Sequence, residues 1–352
     1  MLTLGIETSC DETSAAVVED GRRILSNVVS SQVALHAEYG GVVPELAARS
    51  HVERLPHVVD AGLQQAGVTL ADIGLVAVTR GPGLVGALLT GVGFARALAW
   101  ERGLPIVGVS HLDGHLHSAF LEFPEVQLPL LVLIVSGGHT ELVLMQGVGQ
   151  YRLLGHTLDD AAGEAFDKVA RMLGMAYPGG PEVERVAADA DARAALAGFP
   201  LPAIRVDGLD FSFSGIKTAV RYRLERELGL VQGAGIDGGA VATLPTTRVR
   251  DAAASFQLRV VQHLTEKLEQ AVRETTPAVV AIVGGVAMNR ALRAEAQRRF
   301  DRAGIRAPLV IPGVGLCTDN AAMIAAAGHA LHAAGAPVSL EVDPSLHWLP
   351  AA

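Results

Sequence analysis

The sequence is poor in aromatic and charged residues and has very little cysteine. Of its 352 residues only 4% are aromatic, 18% are charged and two are cysteines, whereas half are hydrophobic. Low charge with high apolar content is the opposite of a disordered composition, so the chain is expected to fold. Cys10 and Cys317 are far apart and form no disulfide framework, which suits a reducing cytoplasm.

An excess of positive charge and a long hydrophobic run are also missing. With 28 Lys and Arg against 37 Asp and Glu, the formal net charge is −9. This argues against a protein that coats nucleic acid through nonspecific charge. No window reaches the ~18 apolar residues that a membrane-spanning helix needs. The N-terminal stretch has no basic segment and is interrupted by Glu7, so neither a signal peptide nor membrane attachment is expected.

What the sequence does contain is a repeated series of strand and helix patterns. Strands are predicted over residues 2–9, 14–20, 22–31, 74–83, 104–110, 128–138, 140–147, 151–157, 277–285 and 308–313. Helices are predicted over residues 43–67, 84–103, 111–122, 160–173, 182–198, 214–229, 248–275, 287–304 and 317–335. Gly67 and Gly304 are the expected helix ends, and Thr318 or Asp319 is expected near the start of the last helix.

The two strand trios, starting near residues 2 and 130, each surround a polar or glycine-rich turn. At roughly 100–200 residues per domain, the length also suggests two domains. These features predict a duplicated, two-lobed α/β protein. A cleft between the lobes is the expected ligand site. A mobile loop is expected over 234–245.

Two histidines one helical turn apart suggest a metal site. His111 and His115 stand at positions i and i+4 and so face the same side of their helix. With Asp319 they form a set that leaves coordination positions open for substrate oxygens, as in non-haem iron and catalytic zinc sites. On spacing alone, a pair of surface histidines is the commoner explanation, and the nearby His117 lowers the specificity further. The pattern is not His-Glu-x-x-His, so a zinc protease would lack its general base.

Three glycine pairs follow a strand or open a helix. They are Gly137–Gly138, Gly179–Gly180 and Gly284–Gly285. Such turns let backbone N–H groups approach an anion closely, and helix N-termini attract phosphate. One pair is weak evidence because glycine turns between strands are common, but three together favour nucleotide binding. The sequence contains neither GxxxxGK[ST] nor an ordered GxGxxG, so neither a P-loop nor a Rossmann site is supported.

Two acidic stretches accompany these turns. The first contains Glu7, Asp11 and Glu12, and the second runs over 159–167 and ends in Asp167. An acidic side chain beside a Gly-Gly turn can bind ribose hydroxyl groups. The alternative is a solvated helix face with an ion pair four residues apart, which such charge patterns usually indicate.

Ten motifs, in order from residue 1 to about 340, resemble one protein family. Among them are ETSCDE (7–12), HLDGH (111–115), SGGHT (136–140), YPGGP (177–181) and CTDN (317–320). In these segments the chain is similar to the tRNA N6-adenosine threonylcarbamoyltransferases, a family once called sialoglycoprotein endopeptidases. The resemblance implies two duplicated ribonuclease-H-like lobes of the actin, Hsp70 and sugar-kinase superfamily around a nucleotide cleft.

Domain limits follow from the same resemblance. The N-terminal lobe is expected over residues 1–125, completed by the C-terminal helix at about 317–340. The second lobe is expected over 126–316 with helical insertions. Residues 341–352 are expected to form a C-terminal tail.

The implied reaction moves a threonylcarbamoyl group from threonylcarbamoyl-AMP to N6 of adenosine 37, forming t6A in tRNAs that read codons beginning with A. The resemblance assigns one divalent metal, iron or zinc, to His111, His115 and Asp319. Some relatives have a ligand-binding aspartate four residues after Gly180, where this chain has Glu184. The residues assigned to threonylcarbamoyl-AMP or an adenine nucleotide are Ile134, Val135, Ser136, Gly137, Gly138, Asp167, Gly180 and Asn289.

Elementary chemistry agrees with this assignment. An exocyclic adenine amine is a poor nucleophile because its lone pair is delocalised, so the acyl donor must be activated. A metal with open positions acts as a Lewis acid on oxygens of the donor. A base must also take a proton from N6. His139, Asp11 and Glu12 are the candidate catalytic residues, and the sequence does not choose among them.

The resemblance also implies partners: the anticodon loop of tRNA, a degenerate paralogue of the same fold, a small P-loop ATPase and the synthase that makes threonylcarbamoyl-AMP. The small-residue helix at 84–103 is either a dimerisation face or a tightly packed internal helix. The basic stretches 217–226, 248–259 and 290–306 could bind phosphates or could be ordinary solvated helix faces. The expected location is the cytoplasm.

Two other functions remain open. A metallopeptidase is suggested by the histidine pair, although its general base is missing. A non-catalytic ATP-binding scaffold or a sugar kinase would share the implied fold. Phosphoryl-transferring proteins of this kind have no need of the His111, His115 and Asp319 set.

Overall fold

The computed structural model describes residues 1–236 and 238–337, and its N-terminal part contains a five-stranded mixed sheet. Its strands are β1 (Leu2–Glu7), β2 (Glu12–Glu19), β3 (Arg23–Ser31), β4 (Ile73–Gly81) and β5 (Ile106–Ser110). The order across the sheet is β3-β2-β1-β4-β5. β1 and β2 form an antiparallel hairpin with Glu7 opposite Ser14, whereas β4 runs parallel to β1 and β5 parallel to β4.

A second five-stranded sheet repeats this connectivity. Its strands are β6 (Leu130–Val135), β7 (Thr140–Gly147), β8 (Gln150–His156), β9 (Val279–Val283) and β10 (Leu309–Val310). The order is β10-β9-β6-β7-β8, with β6 antiparallel to β7 and parallel to β9. The predicted duplicated α/β fold is therefore confirmed. Each hairpin, β1–β2 and β6–β7, carries one of the predicted site turns.

The α-helices of the described residues surround these sheets. They are α1 (Val33–Ala37), α2 (Pro44–Ala66), α3 (Val85–Arg102), α4 (His111–Glu122), α5 (Ala162–Met172), α6 (Gly179–Ala187), α7 (Ala192–Gly198), α8 (Ser214–Glu227), α9 (Gly238–Val241), α10 (Thr246–Thr275), α11 (Arg290–Ala303), α12 (Val314–Cys317) and α13 (Ala321–Ala333). α2 and α11 end at Gly67 and Gly304, as predicted, because both glycines adopt the left-handed conformation that closes a helix. The short α1 was not predicted, and the short α9 lies within the predicted loop 234–245.

Two predicted helices are each divided in the structure. The segment 182–198 forms the end of α6 and all of α7, because Asp191 accepts hydrogen bonds from the backbone of Arg193 and Ala194 and starts a new helix. The segment 317–335 is interrupted after Cys317. There the cap of α13 is Asn320, and not the predicted Thr318 or Asp319, because the Asn320 side chain accepts the N–H of Met323.

Alternating residues of the first sheet pack against different helices. Leu4, Ile6 and Val17 share a core cluster with side chains of α2 and α3, whereas Ala16 and Val18 pack against α13. Successive side chains of a strand point to opposite faces of the sheet, so a sheet covered by helices on both faces has apolar residues at consecutive positions. Small residues bring α13 close to the sheet.

The clearest case of this close approach is Gly5. A Cβ added there would lie 2.2 Å from the backbone oxygen of Ala321. No larger residue therefore fits between β1 and the start of α13.

The chain divides into two compact units. The first comprises Met1–Val126, Gly147–Gln150 and the described residues from Pro312 onward, and the second comprises Gln127–Gln146 and Tyr151–Ile311. The predicted tail 341–352 lies outside the described residues. Within the described part, no helix combines the length and apolar character needed to cross a membrane.

Candidate functional site

The two predicted metal-binding histidines lie on α4, which begins directly after β5. His111 and His115 are one turn apart and are only 4% and 0% exposed. Their rings are in edge contact, with centroids 4.7 Å apart. The pair is therefore buried, and the surface-histidine explanation that the spacing favoured is wrong.

Asp319 joins this pair from the extended link that precedes α13. Its Oδ1 lies 3.5 Å from Nε2 of His111 and 3.3 Å from Nε2 of His115. One ligand atom from each residue lies within 4.8 Å of the others. The structure thus brings the three predicted metal-binding residues together within the first unit.

His117, the third imidazole of the motif, does not join the group. Its Nδ1–H donates to the backbone oxygen of Asp113 at 2.8 Å, and its ring lies beside Phe120. On α4, residues two positions apart do not face each other, so helical spacing separates His117 from His111 and His115.

A fourth residue, Glu7, contacts the group from the end of β1. It is fully buried, and its Oε2 lies 3.0 Å from Nδ1 of His111. The same oxygen accepts the hydroxyl of Thr79 at 2.6 Å, and Oε1 accepts the backbone N–H of Ser9. His111 therefore stands between two carboxylates, with Glu7 on one ring nitrogen and Asp319 on the other.

The electrostatics of the group favour positive charge. Burial lowers the pKa of His111, but the Asp319 and Glu7 carboxylates outweigh burial and hold that pKa well above its usual range. Burial raises the pKa of Asp319, yet His111 and His115 hold it well below its ordinary value. Since an imidazole near two carboxylates is stabilised in its charged form, the same position is suited to a cation.

These residues fit a divalent metal. Although His115 is fully buried, its Nδ1 has no hydrogen-bond partner among the described residues, and its Nε2 faces the Asp319 carboxylate at 3.3 Å. Buried polar atoms rarely stay unpaired in native proteins, because the lost hydrogen bond to water costs free energy. Two imidazole nitrogens and one carboxylate oxygen form a ligand set of catalytic zinc and non-haem iron. The group could therefore bind a metal.

The β1–β2 turn carries the predicted catalytic acids Asp11 and Glu12. Glu12 accepts the hydroxyl of Ser31 at 2.8 Å through Oε1, while its Oε2 is buried with no hydrogen-bond partner in the described part of the chain. Burial raises the pKa of Glu12 to about 7 and also raises that of Asp11. A carboxyl group that ionises near neutral pH is suited to proton transfer.

His51, on α2, holds this turn and was not found from the sequence. Its Nε2 lies 2.9 Å from the backbone oxygen of Cys10, and its Nδ1 lies 2.8 Å from Oγ1 of Thr13. Because a carbonyl oxygen only accepts, Nε2 carries the proton and Nδ1 accepts the Thr13 hydroxyl. The backbone oxygen of Asp11 accepts the N–H of Gln32, so the turn is held from both sides.

The predicted substrate residues 134–138 lie at the end of β6 and in the turn that follows. Ile134 and Val135 are fully buried in the strand. Ser136 and the half-buried His139 close the turn, since the Ser136 N–H donates to the His139 oxygen and Oγ of Ser136 accepts the His139 N–H. Gly137 and Gly138 are exposed, and a Cβ at either position would have no atom within 4 Å. Their backbone is open to a ligand.

Helix α5 connects this turn to Gly180. The N–H of Gly163 donates to the Ser136 oxygen at 3.1 Å, and a Cβ on Gly163 would lie 2.5 Å from that oxygen. Further along α5, Oδ1 of Asp167 accepts the N–H of Gly179 at 2.7 Å. The neighbouring Gly180 has open space around it. The two glycine turns are thus joined within the second unit through short contacts.

The third glycine turn also meets β6. A Cβ on Gly284 would lie 2.4 Å from the oxygen of Val135, so β9 ends against the end of β6. Asn289 is 6% exposed and caps α11 by accepting the N–H of Leu292, while its Nδ2 donates to Gln257. The predicted substrate-binding amide of Asn289 therefore also has a structural role.

A cavity of about 490 Å³ is lined by alanines and other apolar residues, with Gln257, Glu184 and Arg290 among its polar residues. Gln257 is the residue that accepts the hydrogen bond of Asn289. Glu184 accepts both the backbone N–H and Nε of Arg290, at 3.1 and 2.7 Å. This carboxylate therefore orders the start of α11. The volume is in the range of small-molecule sites.

Comparison with known proteins identifies the family to which the chain belongs. The model of the tRNA N6-adenosine threonylcarbamoyltransferase family, TsaD, matches residues 23–326. The chain belongs to this family. The resemblance found in the ten sequence motifs is confirmed.

Relatives of the same name match almost the whole chain. The tRNA N6-adenosine threonylcarbamoyltransferase of Syntrophotalea carbinolica is 48% identical over 348 residues, covering 99% of this chain and 96% of that protein. The protein of the same name from Symbiobacterium thermophilum is 51% identical over 343 residues, with 97% and 95% covered. That of Geobacillus kaustophilus is 49% identical over 345 residues, with 97% and 96% covered.

Solved structures with little sequence identity share the fold. HypF of T. kodakarensis aligns with a TM-score of 0.61 and 14% identity, covering 97% of this chain and 49% of that one. Component A of the (R)-2-hydroxyglutaryl-CoA dehydratase of Acidaminococcus fermentans aligns with a TM-score of 0.52 and 14% identity, covering 94% and 97%. At this identity the likeness supports the fold alone.

Family membership establishes the reaction in outline. The chain is a transferase that places a threonylcarbamoyl group on N6 of adenosine in tRNA, forming t6A, and tRNA is its substrate. This favours the transferase over the metallopeptidase, the scaffold and the sugar kinase that the residues alone left open. The His111, His115 and Asp319 group fits a metal-dependent enzyme of this family.

Proposed function

We propose that this chain transfers the threonylcarbamoyl group from threonylcarbamoyl-AMP to adenosine 37 of tRNAs that read codons beginning with A, with the help of one bound divalent metal. The observation that carries this proposal is the buried group of His111, His115 and Asp319. Both imidazoles direct Nε2 at one carboxylate, 3.3 to 3.5 Å away. A phosphoryl-transferring protein of the same fold has no need of such a group.

The donor is assigned to the glycine turns of the second unit. Gly137 and Gly138 are exposed with open space around them, and backbone N–H groups of such a glycine turn are suited to hydrogen bonding with phosphate or carbamoyl oxygens. Ile134 and Val135 support that turn from the end of β6, and Ser136 lies within it. The ribose is assigned to Asp167 and Gly180, which are connected through the hydrogen bond from Gly179 to Asp167. The adenine is assigned to Asn289 and to the cavity that Gln257 lines.

His111, His115 and Asp319 would hold the metal, which is iron or zinc. When bound, this metal supplies Lewis acidity to donor oxygens and favours departure of AMP. Glu7 and His115 are fully buried, whereas the Asp319 side chain is partly exposed and gives a donor molecule access to the group. The Asp319 carboxylate supplies negative charge for the cation.

The transfer itself requires a base. N6 of the adenosine attacks the carbamoyl carbon, the bond from that carbon to the AMP phosphate oxygen breaks, and AMP leaves with its electron pair. The proton lost by N6 passes to the base. We assign this role to Glu12, because burial brings its pKa to about 7. Asp11 and His139 are the other candidates.

A paralogous partner is assigned to α3 of the first unit. Val85, Leu89 and Trp100 are 51%, 56% and 75% exposed there, and Val52 of the neighbouring α2 is 63% exposed. An apolar face of this kind on a soluble helix marks a protein contact. The same proposal includes two further partner proteins, the small P-loop ATPase and the threonylcarbamoyl-AMP synthase. It also places the enzyme in the cytoplasm.

The decisive experiment compares metal content and tRNA modification in the wild type and in Asp319→Ala. We expect the variant to lose bound iron or zinc and nearly all transfer of labelled threonine to tRNA, because the two histidines alone cannot neutralise or orient the cation. The assay contains threonylcarbamoyl-AMP and the partner proteins, and elemental analysis is made on the same preparations.

Asp113→Asn is the matched control, since Asp113 lies on α4 between the two histidines but outside the metal group. We expect it to retain the metal. Unchanged metal content in a folded Asp319→Ala would refute the metal site. Equal tRNA labelling with and without this chain would refute the transfer reaction.

A further inference from the structure

We propose that Glu7 is a positioning residue of the metal centre, which holds His111 in the one tautomer and orientation that present Nε2 to a divalent metal. The inference rests on the proposed metal-binding function of His111, His115 and Asp319. It concerns a residue that does not itself touch the metal in this proposal.

The geometry determines which nitrogen of His111 is available. An ionised carboxylate only accepts hydrogen bonds, so Nδ1 of His111, at 3.0 Å from Glu7 Oε2, carries the proton. The hydroxyl oxygen of Ser9 lies 3.2 Å from Nδ1 of His111 and can also accept a hydrogen bond from its N–H. In the neutral imidazole the lone pair then lies on Nε2, the atom that faces Asp319.

Glu7 is itself held tightly. It is fully buried, and a buried carboxylate is costly unless hydrogen bonds replace its hydration. Thr79 on β4 donates to Oε2 and the backbone of Ser9 donates to Oε1. Because β1 and β4 are paired strands, the carboxylate sits on a rigid support.

The other histidine lacks this support. Nδ1 of His115 has no hydrogen-bond partner within residues 1–236 and 238–337. Among the described residues, a carboxylate therefore contacts Nδ1 of His111 but not Nδ1 of His115. Such a carboxylate raises the basicity of a ligating histidine and fixes its ring. His111 is thereby the histidine that anchors the metal.

Charge balance gives Glu7 a second role. With both imidazoles neutral, Glu7 and Asp319 supply two negative charges within reach of the bound ion. These charges compensate those of a divalent ion.

The test measures metal affinity of the full-length, metal-free protein, not enzyme activity. Co²⁺ and Zn²⁺ are titrated in competition with a chromophoric chelator, and the Co²⁺ absorption bands report the ligand field. We expect Glu7→Gln, which keeps the shape but removes the charge, to bind both metals about 10–100-fold more weakly. Thr79→Val, which removes one hydrogen bond to Glu7, should show a smaller loss in the same direction.

Thr3→Val is the matched control. Thr3 lies on β1 like Glu7, is fully buried, and its hydroxyl bonds to none of the described residues. We expect its metal affinity to equal that of the wild type. A cooperative thermal unfolding transition in each metal-free variant shows that the variant is folded.

The outcomes separate this inference from the proposed function. If the wild type binds Co²⁺ and folded Glu7→Gln binds it equally well with the same spectrum, Glu7 has no positioning role. If Glu7→Gln does not fold, wild-type affinity in Thr79→Val overturns the inference instead. If the wild type binds no Co²⁺, or Asp319→Ala binds it as tightly, the metal-binding function itself fails.

Discussion

Glu12 shows at the residue scale how burial changes the chemistry of an ordinary carboxyl group. Loss of hydration raises its pKa to about 7, the Ser31 hydroxyl partly opposes this shift, and the neighbouring Asp11 adds to it. The group is therefore half ionised near neutral pH. It can accept a proton during the reaction and return it to water afterwards.

The pH dependence of transfer follows from this pKa. A base acts in its ionised form, so we expect the rate to rise with pH up to about 7 and to level off above it. Glu12→Gln should lower the rate by about 10²–10⁴-fold and remove this rise. Single-turnover transfer to tRNA, measured from pH 5.5 to 8.5, checks both expectations.

Glu141 offers a matched control for this experiment. Burial also raises its pKa to about 7, but it lies on β7 in the second unit and has no assigned role. Glu141→Gln should keep the wild-type rate and pH profile. A profile that is unchanged in Glu12→Gln would assign the base to Asp11 or His139 instead.

The residues that support the site were harder to predict than the site residues themselves. His111 and His115 are one turn apart on one helix, so their spacing suggested a metal site, which the resemblance to the family then assigned. Glu7 and Thr79 come from different strands, 72 positions apart in the chain, and His51 lies 41 positions from Cys10. Only strand pairing and helix packing bring such residues into contact.

At the scale of elements, the break before α13 matters most for the site. A helix running unbroken from residue 317 would have placed Asp319 on its surface. Instead Thr318 and Asn320 are extended, and the side chain of Asn320, the residue after Asp319, caps α13, which begins at Ala321. The carboxylate is thereby free to face α4. Local sequence did contain the signal, since Asn is among the preferred capping residues.

Close contact between α5 and the β6–β7 turn leads to a prediction for Gly163. A Cβ there would lie 2.5 Å from the Ser136 oxygen and 2.9 Å from Cα of Gly137, so the turn must shift. We expect Gly163→Ala to raise KM for threonylcarbamoyl-AMP and to lower kcat/KM by about 10–100-fold, because small misplacements of binding groups are costly. Steady-state kinetics with purified donor measures both quantities.

Gly215 on α8 is the control for this substitution. A Cβ at that position would meet no atom within 4 Å, so Gly215→Ala should leave the kinetics as they are. Metal content should be unchanged in both variants, since the metal group lies in the first unit. A Gly163→Ala enzyme with wild-type KM would argue against donor binding at this turn.

At the scale of the whole molecule, most of the predicted basic stretches turn out to be ion-paired. Arg223 and Arg248 share Glu227, and Arg299 contacts three glutamates, Glu266, Glu269 and Glu295. These contacts favour solvated, mutually neutralised helix faces over a phosphate-binding surface. The net charge of −9 is consistent with an enzyme that meets one RNA transiently.

The exposed face of α3 gives the prediction that belongs to this scale. Leu89→Asp should abolish co-elution with the paralogous partner in gel filtration, because a charge would be buried in an apolar contact. Leu153→Asp, at a 37% exposed leucine on β8 in the second unit, should leave co-elution intact. Retained complex formation in Leu89→Asp would place the partner elsewhere.

The sequence by itself determined the family, the duplicated α/β fold, the order of nearly all elements and the identity of the candidate metal and donor residues. The fold and its elements depend on local patterns of apolar periodicity and glycine turns, whereas the family and the donor residues follow from the resemblance of ten motifs in order along the chain. The tertiary structure alone decided that His111 and His115 are buried, that Asp319 meets them, and that Glu7 and His51 support the site. Burial and contacts between distant segments set these properties, and they also set the pKa of Glu12, because hydration and neighbouring charge depend on how the whole unit packs.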